Sequence, residues 1–232
     1  QYSYSHDNSE GLWCGCNTRS SATNTAGVPD PGDVGVTVRY NISQNDRGDL
    51  IFFNYPSAGN EIYNNVFYIG AGLSPNIIHE SGKQHTYNFY NNIIYNLSSL
   101  ADYSFKDTEQ FRTISNNIFY GNHPTGTLTG EPADVNKLTT DPKFVSPGTA
   151  GFGIAAVDGY KLQSTSPAIN SGFSIASNGG KDYWGNVLYS ANPDRGAHEY
   201  SGALLRSFGR NSVSEDRKST RLNSSHVALS RM

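Results

Sequence analysis

Asn91-Asn92-Ile93-Ile94-Tyr95-Asn96 is one copy of a phrase whose recurrence decides the fold. The phrase returns as Asn64-Asn65-Val66-Phe67-Tyr68, as Asn116-Asn117-Ile118-Phe119-Tyr120-Gly121-Asn122, and more loosely as Tyr40-Asn41-Ile42-Ser43-Gln44-Asn45. With Asn41, Asn65, Asn92 and Asn117 as equivalent positions, the spacings are 24, 27 and 25 residues. Tyr2-Ser3-Tyr4-Ser5-His6-Asp7-Asn8 reads as an earlier copy, set apart by a Gly/Pro/Thr-rich insertion around residues 17–35. A period near 25 predicts a solenoid, in which each repeat buries its apolar face only by stacking on its neighbours. Within each copy the β-branched and aromatic residues suit a short strand, and Gly or Asn breaks it a few residues later. Leucine-rich repeats share the period but need recurrent Leu, which is sparse here.

Composition agrees. The chain has 232 residues with 24 Asn, 24 Gly, 15 Tyr, 11 Phe and one Met. Charged residues are 16%, against about 25% in an average globular domain. Helix formers are scarce, while turn formers alternate with β-branched and aromatic residues, which disfavours helical bundles and alternating β/α folds. No run approaches the ~18 apolar residues of a membrane span. Enough apolar and aromatic material is present to support a packed core.

The Asn-Asn-aliphatic-aromatic phrase resembles the right-handed parallel β-helix repeat family, which implies an all-β solenoid of three short strands per coil. Stacking then accounts for the Asn. Each buried amide donates to one neighbour and accepts from the next, forming a ladder at the bend. The resemblance continues through Asp141-Pro142-Lys143-Phe144-Val145, Asp158-Gly159-Tyr160-Lys161-Leu162, Ser166-Pro167-Ala168-Ile169-Asn170-Ser171-Gly172 and Asp182-Tyr183-Trp184-Gly185-Asn186, closing on Pro193-Asp194-Arg195-Gly196-Ala197-His198-Glu199-Tyr200. This series is similar to the terminal segment of secreted bacterial β-helix proteins, many of them carbohydrate-active. The expected organisation is coils over 1–140, a C-terminal coil or cap segment over 141–200 shielding the last coil, and a linker over 201–215. Asp182 and Asp194 are expected to serve turns within the cap rather than catalysis.

Both ends look artificial. The chain opens on Gln1 in what already reads as a strand, with no leader peptide, and is read as a fragment of a longer protein. Residues 216–226, Asp-Arg-Lys-Ser-Thr-Arg-Leu-Asn-Ser-Ser-His, resemble one translated frame of a sequencing-library adapter, so 216–232 is read as a non-native tail. That tail carries four basic residues and one acid. Without it 13 basic residues face 19 acidic ones, an acidic balance that disfavours nucleic acid as a partner. The expected protein is an extracellular monomer acting on polysaccharide, with neither nucleic-acid nor membrane partners.

Three polar clusters are candidates for chemistry. Coils stack about 4.8 Å apart, so one lane brings groups on neighbouring coils about 5 Å apart and groups two coils away about 10 Å apart. These separations resemble those of the carboxylate pairs of retaining and inverting glycosidases, and a lane of carboxylates can also hold calcium. The first cluster sets His6, Asp7 and Glu10 beside Asp46, Arg47 and Asp49, with Asp7, Asp46 and Asp49 as candidate calcium ligands. The second is His79, Glu80, Lys83 and His85; the third is Lys106, Asp107, Glu109 and Arg112. The family's lyases neutralise a uronate carboxylate with a cation and remove the adjacent proton with Lys or Arg. That precedent makes Lys83, Lys106 or Arg112 the candidate base, with Asp46 and Asp49 beside the metal. His6, Asp7, Glu10, Arg47, His79 and Glu80 are then candidate substrate contacts. The leading expectation is a polysaccharide lyase on acidic glycans, followed by a glycoside hydrolase and by a noncatalytic glycan-binding or adhesin β-helix. Cys14-Gly15-Cys16 is read as inward-facing thiols beside Trp13, since strand neighbours at i and i+2 are poorly spaced for a disulfide.

Overall fold

The computed structural model describes residues 1–15, 34–54, 57–81, 85–108, 112–188 and 192–202, apart from the side chains of 154 and 155. Gln1–Tyr200 forms one compact unit. The expected tail of 216–232 and most of the expected linker lie outside the described residues.

The repeat folds as a parallel β-helix. The first coil carries β1 (Tyr4–His6), β2 (Trp13–Gly15) and β3 (Thr37–Arg39). The second carries β4 (Ile42–Gln44), β5 (Ile51–Phe53) and β6 (Ser57–Tyr63), and the third β7 (Val66–Ile69), β8 (Asn76–Glu80) and β9 (His85–Tyr90). The fourth carries β10 (Ile93–Asn96), β11 (Asp102–Ser104) and β12 (Arg112–Ser115), and β13 (Ile118–Gly121) begins the next. Equivalent strands pair in parallel into three sheets, ordered β1-β4-β7-β10-β13, β2-β5-β8-β11 and β3-β6-β9-β12. We call these the first, second and third sheets.

The two asparagines of the phrase do different work. The second forms the ladder: Asn65 Oδ1 accepts from Asn41 Nδ2 at 2.9 Å, Asn92 Oδ1 from Asn65 Nδ2 at 2.9 Å, and Asn117 Oδ1 from Asn92 Nδ2 at 3.2 Å. Each of these carbonyls also takes the backbone N–H of the asparagine before it. All four amides are buried, so an unpaired rung would leave polar groups away from water. The first asparagine makes the bend. Asn64, Asn91 and Asn116 have φ of 53°, 53° and 58°, the left-handed region that Asn tolerates better than most residues. Tyr40 holds the same place in the second coil with φ 51°, a bulkier residue than the conformation favours.

Two cores result. Inside the coils Phe53, Phe67, Phe89 and Phe119 pack with Ile51, Ile62, Ile78 and Ile94. The second core lies outside the solenoid. Ile42, Val66, Ile93 and Ile118, one per coil of the first sheet, point outward and are covered by Phe144, Val157, Tyr160, Leu162, Ala168 and Ala197. The 141–200 segment therefore shields far more than the last coil. It runs back along the flank, with Arg195 Nη1 donating to Asn117 O, Gly196 N to Asn91 O, Gln44 Nε2 to Ala150 O and Tyr2 OH to Lys181 O. One outer face is thereby closed to solvent.

Cys14 corrects the expectation of inward thiols: it is exposed and disulfide-bonded. Trp13 and Gly15 pair with the inward Ile51 and Phe53, so strand alternation turns Cys14 outward, in register with Phe52. Cys16 lies outside the described residues.

Candidate active site

With the first sheet covered, the outward lanes of the second sheet bring Asp49, Asn76, His79 and Asp102 together on neighbouring coils. Ile51 pairs with Ile78 and Phe52 with His79, while Asn76 pairs with Asp102. Continuing that register places Asp49 beside Asn76, so Asp49, Asn76 and Asp102 share one lane on three successive coils. Buried neighbours hold them outward: Leu50 follows Asp49, Ile77 follows Asn76, and Ala101 and Tyr103 flank Asp102.

The lane is tied together. Asn76 Nδ2 donates to Asp49 Oδ1 at 2.7 Å, and His79 Nδ1 lies 2.7 Å from Asp49 Oδ2. Both members of the Asp49–His79 pair keep about a quarter of their side chain in solvent. The Phe52 ring stacks on His79 at 4.6 Å, fixing the imidazole between an aromatic face and a carboxylate. On the far side Asp102 Oδ1 accepts from the Tyr103 N–H at 2.9 Å. Two coil spacings separate Asp49 from Asp102, about 10 Å between backbones. That backbone separation lies close to the ~6.5–9.5 Å between the carboxyl groups of inverting glycosidases.

Other candidates fall elsewhere. Asp46 is buried, and its oxygens accept from Ser43 Oγ at 2.7 Å and from Asn8 N and Nδ2 at 3.1 Å, so it braces the turn between the first two coils. Asp7 is exposed with its carboxylate 3.2 Å from His6 Nδ1, and His6 stacks on Tyr4. Glu10 and Arg47 are exposed near the same end. Among the described residues no group of three or more His, Cys, Asp and Glu side chains is placed to hold a metal ion.

The second and third clusters merge inside the solenoid. Glu80, next to outward His79, turns inward and is buried; its Oε1 accepts from Tyr87 OH at 3.0 Å and lies 3.3 Å from Arg112 Nε. Burial raises the Glu80 pKa above the ordinary carboxylate value, and the Arg112 charge opposes that shift. Arg112 also lies 3.6 Å from Asp107 Oδ1 and covers the Phe105 ring at 4.2 Å. A guanidinium held this way supplies fixed charge and not a proton acceptor. Asp107 and Arg112 line a cavity of about 410 Å³ at the end of the stack. Lys106 is exposed beside this network, while Lys83 and Glu109 lie outside the described residues.

Asp182 and Asp194 brace the flank segment. Asp182 accepts from Trp184 N, Asn186 N and Glu199 N, and Asp194 from Asn170 N and Tyr200 N.

Asp102 and Asn76 carry no motif and escape sequence reasoning. Counting from the ladder asparagines, Asp49, Asn76 and Asp102 stand eight, eleven and ten residues on. Unequal turns hide the lane until the strands are paired.

Fold and face together define a parallel β-helix with a carboxylate lane on a sheet that the flank segment leaves open among the described residues. No family model matches the chain. It is 32% identical over 233 aligned residues to lacto-N-biosidase of Bifidobacterium longum subsp. longum. The match covers 86% of this chain and 12% of that protein, so the chain spans about an eighth of its relative's length.

Proposed function

We propose that this chain is the β-helix portion of an extracellular glycoside hydrolase acting on glycans, with its active site on the outward face of the second sheet. The observation that carries the reading is the Asp49–Asn76–Asp102 lane, a pair of carboxylates two coils apart on a face left open among the described residues. The similarity to a lacto-N-biosidase supports hydrolysis over elimination. Arg112, tied to Glu80 and Asp107, is poorly suited to the base role a lyase would ask of it.

Water enters between the carboxylates. Asp49, oriented by Asn76 and His79, takes the proton from the attacking water as its oxygen bonds to the anomeric carbon. The bond from that carbon to the bridging oxygen breaks, and Asp102 protonates the departing oxygen. The product has the inverted anomeric configuration. Phe52 offers an apolar ring beside the lane for one sugar face.

The test uses the full chain against chromogenic glycosides of neutral disaccharides, lacto-N-bioside first, with calcium and with chelator. Reducing ends and unsaturated-product absorbance are read together, and NMR reports the anomer released. Hydrolysis with inversion, lost by about 100-fold or more in Asp49→Asn and in Asp102→Asn while the fold persists, is expected. Unsaturated product that depends on calcium would restore the lyase reading. No hydrolysis by folded protein, retention of configuration, or full activity in either variant overturns the proposal.

A further inference from the structure

The third sheet offers a separate binding surface that the proposed chemistry does not use. Residues 173–177 of the flank segment run beside its outer face and make a wall. Asn91 pins this wall from the coil, since Phe173 N donates to Asn91 Oδ1 at 2.7 Å and Asn91 Nδ2 donates to Phe173 O at 2.8 Å. Arg39 Nη1 pins the other end by donating to Ser177 O at 2.9 Å. The groove between wall and sheet encloses about 530 Å³.

Its floor is an in-register polar lane. Thr37 pairs with Glu61 and Glu61 with Asn88, and Asn88 Nδ2 donates to Glu61 Oε1 at 2.7 Å. Its side is aromatic: the Tyr90 and Phe173 rings lie 5.4 Å apart, and Phe173 is 51% exposed, a large apolar side chain left in solvent at the rim.

We propose that this groove binds a neutral oligosaccharide, independently of the carboxylate lane on the second sheet. A pyranose has one apolar face and an equatorial belt of hydroxyls. Here Tyr90 and Phe173 present ring faces while Thr37, Glu61 and Asn88 present donors and acceptors on successive coils. Coil spacing of about 4.8 Å repeats this polar set roughly once per sugar along an extended glycan. Charge selects the class. Glu61 stands in the middle of the floor, and the nearby Arg39 guanidinium is engaged by Tyr63 OH, Ser177 O and Gln1 Oε1. A uronate seated on the floor would meet the Glu61 carboxylate directly, whereas Arg39 stands at the end of the wall with Nε and Nη1 already turned to neutral acceptors, so acidic glycans are disfavoured.

Calorimetric titration of the full chain with a neutral tetrasaccharide, and in parallel with tetragalacturonate, tests the proposal. The Asp49→Asn, Asp102→Asn double variant serves as the background, so that the carboxylate lane turns nothing over. Binding of the neutral sugar is expected, weakened about tenfold in Phe173→Ala and again in Asn88→Ala, with tetragalacturonate binding far more weakly. Phe173 is at the rim, and its loss leaves the packed cores intact, so weakened binding in that variant reports the groove rather than misfolding. Unchanged affinity in both groove variants, absence of binding by folded protein, or preference for the acidic sugar overturns it.

Discussion

His79 Nδ1 sits 2.7 Å from Asp49 Oδ2, a contact between two coils that aims the carboxylate into the outward lane. Phe52 holds the imidazole from one side, and Asn76 takes the other carboxylate oxygen. His79 is therefore a positioning residue for Asp49. His79→Asn is expected to lower kcat by up to about 100-fold with little change in KM, because a misaligned base costs rate more than binding. A merely structural residue would not split kcat from KM in this way. A variant with wild-type kcat, or with KM raised as much as kcat falls, contradicts the assignment.

The ladder makes its own prediction. Asn92 Oδ1 accepts from Asn65 N and Nδ2, and its Nδ2 donates to Ile62 O and Asn117 Oδ1. Asn92→Ala leaves these buried partners unsatisfied and is expected to cost about 4 kcal/mol, measured by urea unfolding. Asn96→Ala, which removes a residue outside the ladder, should cost less. A loss below about 1 kcal/mol for Asn92→Ala would mean that water replaces the rung.

Glu80 and Arg112 form an ion pair within the solenoid, with side chains 3% and 11% exposed. Arg112→Met strands a buried carboxylate and is expected to destabilise the fold by about 3–5 kcal/mol at pH 7. Burial already raises the Glu80 pKa, and loss of the guanidinium raises it further, so the variant should recover stability as acid neutralises Glu80. Thermal unfolding at pH 7 and pH 4 checks this. An equal loss at both pH values would show that packing on Phe105, and not charge, is what Arg112 provides.

Two buried groups of the flank segment titrate in opposite senses. Burial pushes the His198 pKa down from 6.5 to about 4, and Leu162 N donates to its Nδ1, a bond that protonation breaks. The stability His198 contributes is present above pH 6.5 and is lost as pH falls towards 4. Burial pushes the Asp194 pKa up from 3.8 to about 6, so its contribution is present below pH 3.8 and is lost as pH rises through 6. Each shift is worth about 3 kcal/mol across nearly the same window, so these two contributions oppose each other and largely cancel between pH 4 and 6. His198→Asn removes one side of the balance. Its melting temperature should climb as pH drops from 6 to 4, and a flat or falling trend would contradict the pairing.

How much of this could be read from residues alone depends on range. Asn41, Asn65, Asn92 and Asn117 declare the coils because a buried amide needs an identical partner one turn away, and the period follows from that local demand. The β-branched and aromatic runs of Val66–Ile69 and Ile93–Asn96 place strands for the same reason. The site is less legible. Asp49 and His79 fall in separate sequence clusters, Asp46 stands only three residues from Asp49 yet is sealed in a turn, and Glu80 faces opposite to its neighbour His79. Asp102 had no mark of any kind.

The amino-acid sequence by itself determined the solenoid, its asparagine ladder and its short parallel strands, because these arise from interactions that repeat every coil. Only the tertiary structure decided which faces are open. Turns of unequal length set the register that lines Asp49 up with Asp102 and joins Glu80 to Arg112. Long-range packing of 141–200 against Ile42, Val66, Ile93 and Ile118 then closed the first sheet to solvent, walled one side of the third, and left the outward lane of the second open among the described residues. Repetition encodes a scaffold locally, whereas lateral register and flank packing depend on residues far apart in the chain, whose partners exist only once the coils have stacked.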